Sequence, residues 1–181
     1  EAKKYILPGM KTAFIDEIVE KFIVQRGARP AFKGYRGFPA SLCISINEQV
    51  VHGIPGERVI QDGDLVSVDI GVEYQGYYTD AAFSVVAGNS NGIAYQLVKV
   101  AKESLFEGIR KAKAGNRIGD VSNAIQKYIE KNNFSVVRDF VGHGLGLSLH
   151  EEPQIPNFGP KNQGRLIKKG MVLAIEPMVN E

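Results

Sequence analysis

The sequence predicts an α+β fold, and three observations carry that prediction. A run of alternating aliphatics reads as a two-stranded hairpin, three stretches have the apolar periodicity of amphipathic helices, and part of the plan recurs at an offset of 106 to 107 residues. The hairpin runs from Leu65 to Val72 and from Tyr77 to Phe83, with Tyr74-Gln75-Gly76 as the reversal. Val66, Val68, Ile70 and Val72 share one face at period two, so Asp69 lies on the other beside the small residues Ser67 and Gly71. With Gln75-Gly76 as a two-residue loop, Asp69 pairs with Ala82 and Asp80 with Gly71, which sets both carboxylates on one face a diagonal step apart. A three-residue loop without a bulge would put them on opposite faces. Two acids so placed are costly unless they face water or share a cation.

The remaining elements follow in chain order. Phe14, Ile15, Ile18, Val19, Phe22 and Ile23 mark a first helix between Pro8-Gly9 and Gly27. Residues 31–39 are irregular and aromatic, with Phe32, Tyr35 and Phe38, and suit a binding wall; Ser41 to Ile46 reads as a strand. Ala94, Leu97, Val98, Ala101, Leu105 and Ile109 mark a second helix, and Ile118, Val121, Ile125, Tyr128 and Ile129 a third. The tail reads as a strand from Ser135 to Phe140, a glycine-rich loop from Gly142 to Gly146, and a strand from Met171 to Glu176.

The repeat overlays the first and third helices: Gly9, Ile15, Val19, Lys21, Phe22 and Ile23 fall on Gly115, Val121, Ile125, Lys127, Tyr128 and Ile129. An offset of 107 carries Asp69 onto Glu176, each in an aliphatic run after a glycine turn, Asp62-Gly63 or Lys169-Gly170. Two halves sharing one plan would place the counterpart of Asp80 a little beyond residue 181, so the chain is expected to stop within its second hairpin.

The length of 181 residues and 44% hydrophobic content suit a single domain, residues 1–181, expected to be incomplete at both ends. A net charge of +2 with scattered basic residues argues against nucleic acid or an anionic membrane as partner. Cys43 stands alone, so no internal disulfide can form; with no signal peptide or long apolar run, a cytoplasmic location is the default.

Three histidines sit beside glycine or acid: His52, His143 and His150. Glycines at 142, 144 and 146 disfavour a helical metal-binding pair at His143 and His150. His143 fits instead an extended, closely approached backbone. Asp69, Asp80, His143 and Glu176 together offer three carboxylates and an imidazole, a donor set for one or two divalent ions.

Several motifs stand in order: Ser41 to Glu48, Val51-His52-Gly53-Ile54-Pro55, Asp62-Gly63-Asp64, Val68-Asp69, Asp80, Gly142-His143-Gly144, His150-Glu151-Glu152-Pro153 and Ala174-Ile175-Glu176-Pro177-Met178. In these, and along its whole length, the chain closely resembles the type I methionine aminopeptidases. The resemblance implies the pita-bread fold, two pseudo-symmetric halves around an antiparallel sheet with helices on the outer face. It implies N-terminal methionine excision from nascent polypeptides by hydrolysis, with water or hydroxide bridging two divalent metal ions (Co, Mn, Fe, Ni or Zn). Of five metal ligands four match, Asp69, Asp80, His143 and Glu176; the fifth, a glutamate on the last strand, would lie past residue 181. The expectation is therefore one ion held well, a second poorly, and reduced activity.

By the same resemblance His52 and His150 line the cleft as catalytic and substrate-binding groups, while Tyr35, Phe38, Cys43 and Leu149 form the methionine pocket. Leu149 replaces a residue often aromatic in the family. Nascent peptide N-termini beginning with Met are the implied partners, with the ribosome a further candidate. A monomer is expected, or a dimer through the sheet edge beside residues 172–179. Two alternatives stay open: an X-Pro aminopeptidase, and a non-catalytic binding module of the same fold.

Overall fold

The computed structural model describes residues 1–90 and 92–181. It divides into two compact units, Glu1–Tyr95 with Leu147–Leu149, and Gln96–Gly146 with His150–Glu181. The boundary near residue 95 falls between the two copies of the repeated plan.

In the first unit, helix α1 (Thr12–Val24) buries Ile15, Val19 and Ile23. Each such side chain removed from water contributes about 1.5–3 kcal/mol. The first N–H groups of a helix have no internal partner. Here Thr12 and Ala13 donate at 3.0 Å each to the carbonyls of Arg58 and Gly56, so a distant loop caps the helix. Gly27, at φ +71°, closes the turn after it. Phe14, expected on the inner face, is exposed, and Phe22 lies beneath the guanidinium of Arg26, 3.4 Å from the ring centroid.

The sheet of this unit contains β1 (Arg29–Pro30), β2 (Cys43–Ile46), β3 (Leu65–Tyr74) and β4 (Tyr77–Val86). β4 lines one edge of β3; β2 and β1 share the other, against residues 66–69 and 72–73. Gln75 and Gly76 turn the hairpin at φ +52° and +83°, the left-handed pair that a two-residue reversal requires. β2 starts later than expected because the N–H groups of Ser41 and Leu42 donate to Asp16 Oδ1 on α1, at 3.0 and 2.8 Å, outside the ladder. Ile15, Val19, Ile44, Ile46, Val66 and Val68 belong to one buried cluster, so the aliphatic face of β3 packs in the same core as α1.

In the second unit, helix α2 (Gly92–Lys111) buries Val100, Ser104 and Gly108. Leu97 and Ala101 of the expected stripe pack against the same core, but the fully buried positions fall on smaller residues, and Ile109 is exposed. Close packing explains the choice: a Cβ on Gly108 would stand 2.8 Å from Ile125 Cδ1 of helix α3 (Ile118–Lys131). α3 buries Ile118, Val121, Ile125 and Ile129 as its period predicts, and the Asp120 carboxylate accepts the Arg117 N–H at 2.8 Å at its start.

The strands of this unit are shorter than the sequence suggests. β5 (Ser135–Val136) pairs with β9 (Val179–Asn180), and β6 (Gly142–Gly144) lies between β7 (Glu151–Ile155) and β8 (Leu173–Ala174). The expected strands 135–140 and 171–176 thus shrink to two residues each, and part of the expected glycine loop is a central strand. Glycine is needed there: a Cβ on Gly142 would enter the Ala174 carbonyl, and one on Gly144 would lie 2.5 Å from the Glu152 oxygen. Among the described residues, no helix is long and apolar enough to cross a membrane.

Candidate metal centre and side-chain pocket

The two aspartates sit as the two-residue reversal requires. Asp69 pairs with Ala82 and Gly71 with Asp80, so the carboxylates share a face as diagonal neighbours on β3 and β4. Such neighbours lie roughly 7–8 Å apart at the backbone, within reach of one shared group. Both are half-buried. Across the other edge of β3, Cys43 stands opposite Asp69. Burial pushes the Cys43 thiol up to about 12, with the charges of Asp69, Asp80 and Asp16 adding to the effect.

The same face carries an apolar cluster. Phe32, Cys43 and Leu149 are buried together, and Ala31, Tyr35, Phe38 and Tyr78 pack against them. The four residues named for a methionine pocket, Tyr35, Phe38, Cys43 and Leu149, thus fall in one cluster. Phe32, from the aromatic stretch expected to form a binding wall, joins it, and so does Tyr78, which no expectation marked. Tyr78 could have been found, because it lies two residues before Asp80 and so shares its face. Phe32 packs against Gly71: a Cβ there would stand 2.7 Å from Phe32 Cδ1. Gly71 keeps the wall between acids and aromatics thin.

His52 is exposed, at φ +57°. The next residue pins its loop to β2: Gly53 donates to Ser45 Oγ at 3.0 Å and accepts the Ile44 N–H at 2.8 Å.

In the second unit, β6 and the segment after β8 bring His143 and Glu176 together. His143 is buried, and its Nδ1 lies 2.8 Å from the Gly144 carbonyl. A carbonyl only accepts, so Nδ1 carries the hydrogen and, in the neutral ring, Nε2 presents its lone pair. Glu176 Oε1 stands 3.2 Å from that Nε2 and, although buried, accepts no hydrogen bond among the described residues. Two acceptors then oppose each other, a conflict that a proton or a shared cation removes. The exposed His150 lies beside them, with ring centroids 4.2 Å apart. Asn157, fully buried, donates from Nδ2 to the Glu176 main-chain carbonyl at 2.7 Å. No periodic signal marks Asn157 in the sequence.

The donors in each unit suit a divalent ion by their chemistry: the paired carboxylates of Asp69 and Asp80 in the first are hard ligands, and the His143 imidazole with the Glu176 carboxylate in the second is a hard-to-borderline pair.

The model of metallopeptidase family M24 matches residues 1–181. The chain belongs to this family. It is 53% identical over 180 residues to methionine aminopeptidase 1 of Bacillus subtilis, covering 99% of this chain and 73% of that one. The methionine aminopeptidase of Clostridium perfringens is 53% identical over 178 residues, covering 98% and 72%. Among solved structures, the methionine aminopeptidase of Thermotoga maritima superposes with a TM-score of 0.97 at 46% identity, covering 98% of this chain and 72% of that one. The prolidase of Pyrococcus furiosus superposes at 0.82 with 26% identity, covering 97% and 50%. The M24 chain thus has the pita-bread fold expected from its motifs, and its similarity is higher to methionine aminopeptidases than to that prolidase.

Proposed function

We propose that this M24 chain removes the initiator methionine from new polypeptides by metal-dependent hydrolysis, residues 1–181 forming one catalytic domain. The observation that carries the proposal is the pairing of half-buried Asp69 and Asp80 on one face with an apolar cluster around Cys43, in a chain 53% identical to a methionine aminopeptidase.

Asp69, Asp80, His143 and Glu176 are the proposed metal ligands. Two divalent ions are proposed, drawn from Co, Mn, Fe, Ni and Zn; when bound, they supply Lewis-acid polarisation of a carbonyl and a water acidic enough to attack at neutral pH. The protein's own groups do the rest. Carboxylates at the site attract the substrate's free α-ammonium group, which restricts cleavage to the first peptide bond. The cluster of Phe32, Tyr35, Phe38, Cys43, Tyr78 and Leu149 receives an unbranched, polarisable thioether, a shape that aromatic walls hold well. A protonated Cys43 keeps that wall uncharged. His52 and His150 are the proposed donors to the oxygen of the tetrahedral intermediate, and each can pass a proton to the leaving amine. A cytoplasmic location, access to the nascent chain near the ribosome and a monomeric state complete the proposal.

Incubation of the chain with Mn(II) and Met-Ala-Ser tests it. Free Met should appear faster than with the Glu176→Gln variant, and an X-Pro peptide should stay intact. Hydrolysis of X-Pro bonds without release of Met would overturn the assignment in favour of a prolidase-type activity.

A further inference from the structure

We infer that Asn157 is a positioning residue that holds Glu176 in ligand geometry; this rests on Glu176 being a metal ligand, as proposed above. Glu176 lies past the end of β8, which stops at Ala174, so among the described residues its main chain lies outside the ladder. Two contacts replace the ladder. A Cβ on Gly142 would stand 3.4 Å from the Glu176 nitrogen, so the β6 backbone backs that side closely. On the other side Asn157 Nδ2 donates to the Glu176 carbonyl at 2.7 Å. With both ends of one residue braced, the side chain is aimed at His143, Oε1 to Nε2 at 3.2 Å.

Asn157 is poorly suited to a packing role. It is wholly buried after Pro156, and its own Oδ1 finds no partner among the described residues, a costly arrangement for an amide. Leucine has the same branching without that cost. What leucine cannot do is donate to the Glu176 carbonyl. Groups that orient metal ligands from behind typically change metal affinity 10- to 100-fold when removed.

The test is Mn(II) calorimetry on the unaltered chain and on Asn157→Leu and Asn157→Ala, with thermal melting of each. Asn123→Ala serves as a control, because Asn123 Nδ2 makes a similar bond, 2.9 Å, to the Gly159 carbonyl, and its Oδ1 is likewise buried without a partner. Both Asn157 variants should weaken Mn(II) binding about tenfold or more, while Asn123→Ala binds as the unaltered chain does. Alanine has no donor and fits within the space that asparagine fills, so Asn157→Ala decides the matter if the leucine variant does not fold. Unchanged binding in the Asn157 variants, or an equal loss in Asn123→Ala, overturns the inference. No Mn(II) binding by the unaltered chain would instead overturn the metal-centre reading, and the role of Asn157 with it.

Discussion

Glu176 Oε1 stands 3.2 Å from His143 Nε2, and the His143 ring is turned so that its other nitrogen meets the Gly144 carbonyl at 2.8 Å. The carboxylate thus faces the one ring nitrogen left to bind a cation. Glu176→Gln converts the acceptor into an amide that can donate to that nitrogen, satisfying the pair without a cation. The variant should fold normally and lose Mn(II) affinity by a factor on the order of 100 or more, read by calorimetry. Unchanged affinity would remove Glu176 from the ligand set.

The pocket offers a second prediction. Leu149 is buried against Phe32 and Cys43, so Leu149→Ala opens space in the cluster. Large-to-small changes in such places cost about 2–5 kcal/mol of stability. Selectivity should also relax. A methylene's worth of pocket changes discrimination roughly 10- to 200-fold, so the preference for N-terminal Met over a bulkier residue should fall by that order in kcat/KM. Retained selectivity would place the methionine pocket elsewhere.

Much of the first unit was legible in the sequence, for specific reasons. Gln75-Gly76 admits the left-handed pair of a tight reversal, and that one feature sets the register of the whole hairpin and the shared face of Asp69 and Asp80. α3 was legible because Val121, Ile125 and Ile129 are large and periodic. α2 misled because its contact stripe is built from Ser104 and Gly108, whose value is their small size, while the larger Ile109 points outward. The strands around His143 were blurred by their length, two to five residues, too short for period two to register. Asn157 left no trace because its partner lies 19 residues away and is a main-chain carbonyl.

Two glycines make a third prediction, on stability. A Cβ on Gly53 would stand 2.8 Å from the Ile44 carbonyl carbon, in the fixed backbone of β2. A Cβ on Gly108 would stand equally close to Ile125 Cδ1, the movable end of a side chain. Gly53→Ala should therefore cost about 3 kcal/mol or more, and Gly108→Ala much less, since alanine regains about 1 kcal/mol of helix propensity. Melting temperatures should differ by several degrees, at roughly 2–4 °C per kcal/mol for a chain of this size. The reverse order would contradict the packing described.

Cys43 yields a prediction in pH. Its folded-state value is raised from 9.0 to about 12, chiefly by burial and then by Asp69 and Asp80. Above pH 9.0 the unfolded chain releases the thiol proton while the folded chain keeps it, so the metal-free protein should lose stability as pH rises from 9.0 toward about 12. Below pH 9.0 this group contributes no slope. Denaturant melts of the metal-free protein and of Cys43→Ala across that range should show a steeper decline in the unaltered chain. Equal slopes would mean that the thiol is not buried as described.

Mn(II) calorimetry on three proteins, the unaltered chain, Asp80→Asn and Glu176→Gln, tests the metal centre most directly. If Asp80 and Glu176 are both metal ligands, each substitution alone should weaken the tighter Mn(II) site by about 100-fold or more while the melting profile of the metal-free protein stays intact. Tight Mn(II) binding that survives both substitutions would contradict the metallopeptidase assignment at its base.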